Sequence, residues 1–145
     1  MLKYSTAIVI DLPRPRVVEL FTDTDNIPAW QPGLEKFELL EGEPGQPGAK
    51  TRLVFRRDRR EIDLIETIVS QALPDELTVR YETEGVKNLV VNRFEALEDS
   101  RTRWVAENEF KFAGWMLFLG LFLGAVFRKQ TLDDMRHFKA FAENA

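Results

Sequence analysis

The end of the chain constrains the fold most. Residues 112–127 read FAGWMLFLGLFLGAVF, with no charge and no strongly polar side chain, and residues 128–141 read RKQTLDDMRHFKAF. In the second segment Leu132, Met135, Phe138 and Phe141 or Ala142 recur at helical spacing with charges between them. That is the pattern of an amphipathic helix with one buried stripe. No proline interrupts the stretch, so a single helix of about 28 residues, roughly 40 Å long, is expected. Such a helix needs a sheet to take its stripe and a second partner to shield the uniformly apolar half.

The sheet is supplied by the residues before it. Period-two alternation predicts strands at 3–12, 35–41, 49–57, 61–71, 76–84, 86–97 and 101–112. The breaks carry turn chemistry: GEPGQPG at 42–48, RDRR at 57–60, LPDE at 73–76, Gly85 and EDS at 98–100. Short links between successive strands imply an antiparallel meander. Between the first two strands lie two short helical pieces, at 14–22 and 23–30. Asp11 is a candidate cap for the first, Pro13 suits its first turn, and Pro32-Gly33 stops the second. The expected class is α+β, with a curved antiparallel sheet of about seven strands wrapped around the final helix.

At 145 residues the chain suits one domain, 1–145, with room for a sizeable core. Twenty basic and 24 acidic residues give a net charge of −4, which disfavours nucleic acid as the main partner. There is no cysteine, so disulfide and thiolate chemistry are excluded and a reducing compartment, the cytoplasm, is expected. One histidine, His137, and no cysteine make a metal site unexpected. His137 precedes Phe138 and is expected on the wet face of the helix. No Gly-rich phosphate loop or nucleophile elbow is present, and no cofactor is expected.

Several segments together resemble the SRPBCC (START-like, helix-grip) superfamily. They are Ile8-Val9-Ile10 followed by Pro13 and the Val17 to Phe21 helix, Pro28-Ala29-Trp30-Gln31-Pro32-Gly33, Gly48 before a strand, Leu73-Pro74-Asp75-Glu76-Leu77 between strands, and Thr102 opening the last strand. The branch they most resemble is the polyketide cyclase/dehydrase and lipid-transport group. The resemblance covers nearly the whole chain and implies a helix-grip fold around a ligand cavity. The run 112–127 departs from it by being more uniformly apolar.

Alternation sorts the faces independently of any family. The charged face of each strand must be wet, so Thr102, Trp104, Ala106, Asn108, Phe110 and Phe112 point inward on the last strand. Asn88, Val90, Asn92 and Phe94 point inward on the one before, as do Leu77, Val79, Tyr81 and Thr83, and Thr51, Leu53 and Phe55, on theirs. Strand 61–71 is ambiguous: Ile62, Leu64, Glu66 and Ile68 share one face, and Asp63, Ile65, Thr67 and Val69 the other. Apolar and aromatic groups with a few neutral amides are what a pocket for an apolar ligand requires. Phe55, Tyr81, Asn92, Trp104, Asn108 and Phe110 are the candidate ligand-binding residues. The alternative is a solid core whose amides bond to backbone or buried water.

Trp30 is either a packing anchor or, as the resemblance implies, the gate of the cavity. Glu66 is the one candidate acid or base: if inward, burial raises its pKa, and Arg57 could pair with it. The basic run 56–60 reads as a solvated hairpin tip, or alternatively as a contact for anionic lipid.

Three functions compete: binding of a lipid, isoprenoid or polyketide-like molecule, which leads; a cyclase or dehydratase using the same cavity; and an interaction module of the chaperone-activator type. A filled interior would favour the last, and an inward Glu66 in reach of Tyr81 or Arg57 the second. The 16 residues 112–127 span about 24 Å as a helix, too short for a bilayer core of ~30 Å. Their surplus apolar faces are expected to meet the short helices and a second subunit, with Gly120-x-x-x-Gly124 permitting close approach, or a membrane surface.

Overall fold

A computed structural model describes residues 1–145, apart from the side chains of residues 119–121. Strand β1 (Leu2–Ile10) leads into α1 (Arg14–Thr22), a 3-10 turn (Thr24–Asn26) and the single-turn α2 (Ile27–Trp30). Six strands follow: β2 (Leu34–Glu41), β3 (Lys50–Arg57), β4 (Arg60–Ala72), β5 (Glu76–Thr83), β6 (Val86–Leu97) and β7 (Arg101–Phe112). The chain ends in α3 (Leu119–Glu143). The sheet has seven strands in the order β1-β7-β6-β5-β4-β3-β2, every pair antiparallel. Bulges in β2 and β4 add twist, and the sheet curls around α3 as the alternation implied.

The hairpins follow from local chemistry. Gly33 has φ +90°, and a Cβ there would collide with the Arg56 carbonyl, so glycine is required where β2 begins beside the end of β3. The Arg56 N–H donates to Gly33 O at 2.8 Å, closing that contact.

The interior is packed solid at one end. Met135, Phe138 and Ala142 of α3 are buried, and Phe141 and Leu132 partly so, which is the stripe the spacing predicted. Phe138 lies in an aromatic cluster with ring centroids 5.6 Å from Phe21, 5.1 Å from Trp30 and 5.4 Å from Trp104. Phe94 joins it at 5.1 Å from Phe21. Helices α1 and α2 therefore close this end. Edge-to-face geometry dominates, the arrangement aromatic quadrupoles favour.

Three local expectations are corrected. The final helix begins at Leu119, not near Phe112: Phe112 is the last residue of β7, buried on its inward face. The Ala113 N–H donates to Gly85 O at 2.9 Å, and Gly114, with φ +45°, turns the chain into a 3-10 turn over Gly114–Met116. Asp11 does not cap α1; Pro13 holds the cap position, and the Asp11 N–H donates to Glu143 instead. The short helices cover Phe138, not residues 112–127. Leu119, Gly120 and Leu121 of the apolar run, and with them half of the Gly120-x-x-x-Gly124 motif, lie outside the residues whose side chains are described. Trp115, Leu117, Phe118, Phe122 and Val126 are exposed.

Candidate functional site: a cavity at the open end of the sheet

At the other end, sheet and helix separate. The walls there come from the last residues of β3 (Phe55, Arg57), the first of β4 (Ile62, Leu64), Tyr81 of β5, Asn88 of β6 and Phe110 of β7. Phe127 and Asp134 of α3 form the roof. The cavity has a volume of about 330 Å³, is mainly apolar and opens to solvent. Phe110 stacks on Phe127 with centroids 5.0 Å apart, and Phe112 lies 6.1 Å from the same ring, so aromatic contacts hold this half of α3 to the sheet. Tyr4 adds a hydroxyl contact to Thr131 at 2.7 Å.

The face of β4 left open by the sequence is settled by register. Leu53 lies opposite Leu64, Thr51 opposite Glu66, and Phe55 opposite Ile62. Because Thr51, Leu53 and Phe55 point inward, Ile62, Leu64, Glu66 and Ile68 do too. Glu66 also lies opposite Tyr81, whose hydroxyl donates toward its carboxylate. Burial penalises the Glu66 charge and raises its pKa, and the hydrogen bond from Tyr81 offsets only part of this. The Tyr81 phenol is pushed well above its ordinary value, first by burial and then by the negative charges of Glu66 and Asp134. Glu66 is not on the cavity wall.

Arg57 is inward but does not pair with Glu66. Its guanidinium reaches Asp134 at 3.7 Å, with each side chain about a quarter exposed, and lies over the Phe55 ring at 5.2 Å. Burial raises the Asp134 pKa, and Arg57 pulls it back. Asp134 is the carboxylate that α3 brings to the cavity wall, where Glu82 of β5 also lies, and sequence reasoning missed it. Phe127, Thr131, Asp134 and Phe138 lie on one helix face at spacings of four and three, a signal masked by the stronger apolar reading of Met135.

Of the predicted ligand-binding residues, Phe55, Tyr81 and Phe110 line this cavity together. Asn108 points inward as expected and is buried. Its Oδ1 accepts from Asn88 Nδ2 at 3.1 Å, while its own Nδ2 has no partner. Asn92 and Trp104 lie deeper, joined by a hydrogen bond from Trp104 Nε1 to Asn92 Oδ1 at 3.0 Å. Trp30 is buried in the aromatic cluster, where it is a packing anchor. His137 is exposed. Among the described residues no cluster has the makings of a metal site.

The family described as polyketide cyclase/dehydrase and lipid transport matches residues 1–141. The chain belongs to this family. No curated protein sequence matches it. The aromatase/cyclase ZhuI from Streptomyces sp. R1128 superposes with a TM-score of 0.82 at 19% identity, covering 97% of this chain and 93% of that one. Ara h 8.0201 gives 0.78 at 13% identity, covering 99% and 98%. A Thalictrum flavum norcoclaurine synthase, solved with a transition-state analogue, gives 0.74 at 10% identity, covering 97% and 92%. At these identities the likeness establishes the fold.

Proposed function

We propose that this protein binds a hydrophobic small molecule, of lipid, isoprenoid or polyketide-like character, in the cavity between the sheet and α3. The observation that carries this reading is the cavity itself. Its apolar walls are interrupted by a few grouped polar side chains: Tyr81, Asn88, and the Arg57–Asp134 pair. Apolar area supplies affinity there, and the polar groups fix the orientation of a carbonyl or hydroxyl. The family description includes lipid transport, which agrees with this use. An interaction module with a filled interior is disfavoured, because the open end is not filled.

One observation favours a second reading, an acid–base enzyme of cyclase or dehydratase type. Tyr81 feels the charge of two carboxyls, Glu66 and Asp134, whose pKa values are both raised by burial. A carboxyl whose proton is held more tightly than usual beside an apolar site suits general acid catalysis. The solved aromatase/cyclase and norcoclaurine synthase show that this fold accommodates enzymes.

Native mass spectrometry of the purified protein, before and after lipid extraction, tests both. A retained apolar compound, returned unchanged on re-addition, is expected for a carrier. Conversion of the compound to a product lighter by one water would identify a dehydratase. A protein that neither retains nor rebinds any apolar compound would overturn the binding reading.

A further inference from the structure

The cavity opens at the end of the molecule where two other features converge. The register brings them together: Val86 lies opposite Phe112, Thr83 opposite Val86, and the Thr83 hydroxyl donates to Asp63 O at 2.9 Å. The β3–β4 tip, the β5–β6 turn, the end of β7 and the start of α3 therefore share one end of the sheet.

The first feature is apolar. Trp115 is 70% exposed, Leu117 61%, Phe118 57% and Phe122 76%. Their backbone is anchored rather than free. Ala113 is hydrogen-bonded to Gly85, and Met116 lies against Gly85. Large apolar side chains exposed together in one short segment are the kind of feature that marks an interaction surface.

The second feature is charge. Arg59 and Arg60 at the β3–β4 tip, and Lys87 and Lys111 beside the apolar segment, are exposed, and none has an ion-pair partner among the described residues. Lys87 and Lys111 lie directly opposite each other across β6 and β7, an unfavourable like-charge pairing. The acids nearby without an ion pair are Asp58, Glu84 and Glu109, whereas Glu61, Asp63 and Glu82 are taken by Arg56, Arg52 and Arg80. This end is thus locally basic on a chain whose net charge is −4.

Two occupants would cover an apolar patch here, a second copy or a lipid surface, and the charge decides between them. A two-fold dimer sets a patch against itself, so the net positive charge of this end would face an identical positive charge. An anionic bilayer instead neutralises that charge while its headgroup–acyl boundary takes the aromatic side chains. We infer that this end of the protein docks on an anionic membrane surface, with Trp115, Phe118 and Phe122 in the interface and the cavity mouth facing the lipid. This deepens the binding reading, on which the purpose of docking rests, by naming where the ligand is collected or delivered. Among the described residues no helix is long and apolar enough to cross a membrane, so the contact is peripheral.

The test is flotation of the full chain with phosphatidylcholine vesicles, with and without phosphatidylserine. The protein should float with the anionic vesicles and be released by salt. Trp115→Ala with Phe118→Glu should abolish flotation while leaving the melting temperature unchanged, because both side chains are exposed. Lys87→Gln and Lys111→Gln should each lower partitioning roughly fivefold. Failure to float with anionic vesicles at low salt would overturn the inference. So would equal binding to neutral vesicles, or a dimer in light scattering that the Trp115/Phe118 variant dissociates. Flotation does not depend on an occupied cavity, so it can succeed where ligand retention fails, and the two readings fall separately.

Discussion

Glu66 and Tyr81 lie directly opposite each other on β4 and β5, both on the concave side of the sheet, and of the two only Tyr81 lines the cavity. The Glu66 pKa is raised because burial disfavours its charge. The folded state therefore holds that proton to a higher pH than the unfolded chain does. The stability this contributes is fully present below the ordinary carboxyl range and is lost as pH rises through the folded pKa. Glu66→Gln should accordingly gain stability relative to the native protein as pH is raised above about 4.5. Urea denaturation at several pH values measures it, and a difference independent of pH would refute the assignment.

Removing one partner of the Arg57–Asp134 pair leaves the other half-buried and unpaired. Arg57→Ala is expected to cost about 1–2 kcal/mol, discounted from a fully buried pair because both groups retain some water. Adding Asp134→Asn to Arg57→Ala should recover part of that loss. Strict additivity in the double-mutant cycle would show the two groups to be uncoupled.

The two buried amides should behave differently. Trp104→Phe deletes the donor to Asn92 Oδ1 in the closed end, which predicts a loss of about 1–3 kcal/mol. Asn108→Leu removes an amide whose Nδ2 already lacks a partner, so its cost should be well under that of Trp104→Phe. Thermal melts of the two variants side by side decide the point, and the reverse ranking would be wrong for this structure.

Occupancy can be separated from folding by filling the cavity. Val86 lines it and is half-buried. Val86→Trp should reduce retention of an apolar compound at least tenfold, about 1.4 kcal/mol, while circular dichroism stays unchanged. Retention equal to that of the native chain would place the ligand elsewhere.

Much of this architecture was legible in the sequence because charge marks the wet face of each strand. On β7, Thr102, Trp104, Ala106, Asn108 and Phe112 are buried, as alternation with Arg103, Glu107, Glu109 and Lys111 requires. Strand β4 resisted the same treatment because both of its faces carry branched apolar residues; only its pairing with β3 resolved it. Depth along the strands was not legible at all. Trp104 and Asn92 obey the same rule as Tyr81 and Phe110, yet α1 and α2 plug the space around the first pair and leave the second open. That difference depends on where two short helices dock, which periodicity does not encode. Asp134 was hidden for a related reason, since a charged residue beside a stripe reads as solvated until the sheet beneath it is known to fall away.

The place of β1 has a consequence for how the protein comes into being. Its hydrogen-bonding neighbour in the sheet is β7, with Leu2 opposite Phe110 and Ile10 opposite Thr102. On the ribosome the first strand therefore emerges long before its partner is made. Until then its row of amide and carbonyl groups has no ladder to join, and the face that α3 later covers is bare. Pairings between the two ends of a sequence slow folding and leave strand edges open to neighbouring chains. The sheet and its cover are therefore completed only in the step where β7 and α3 capture β1.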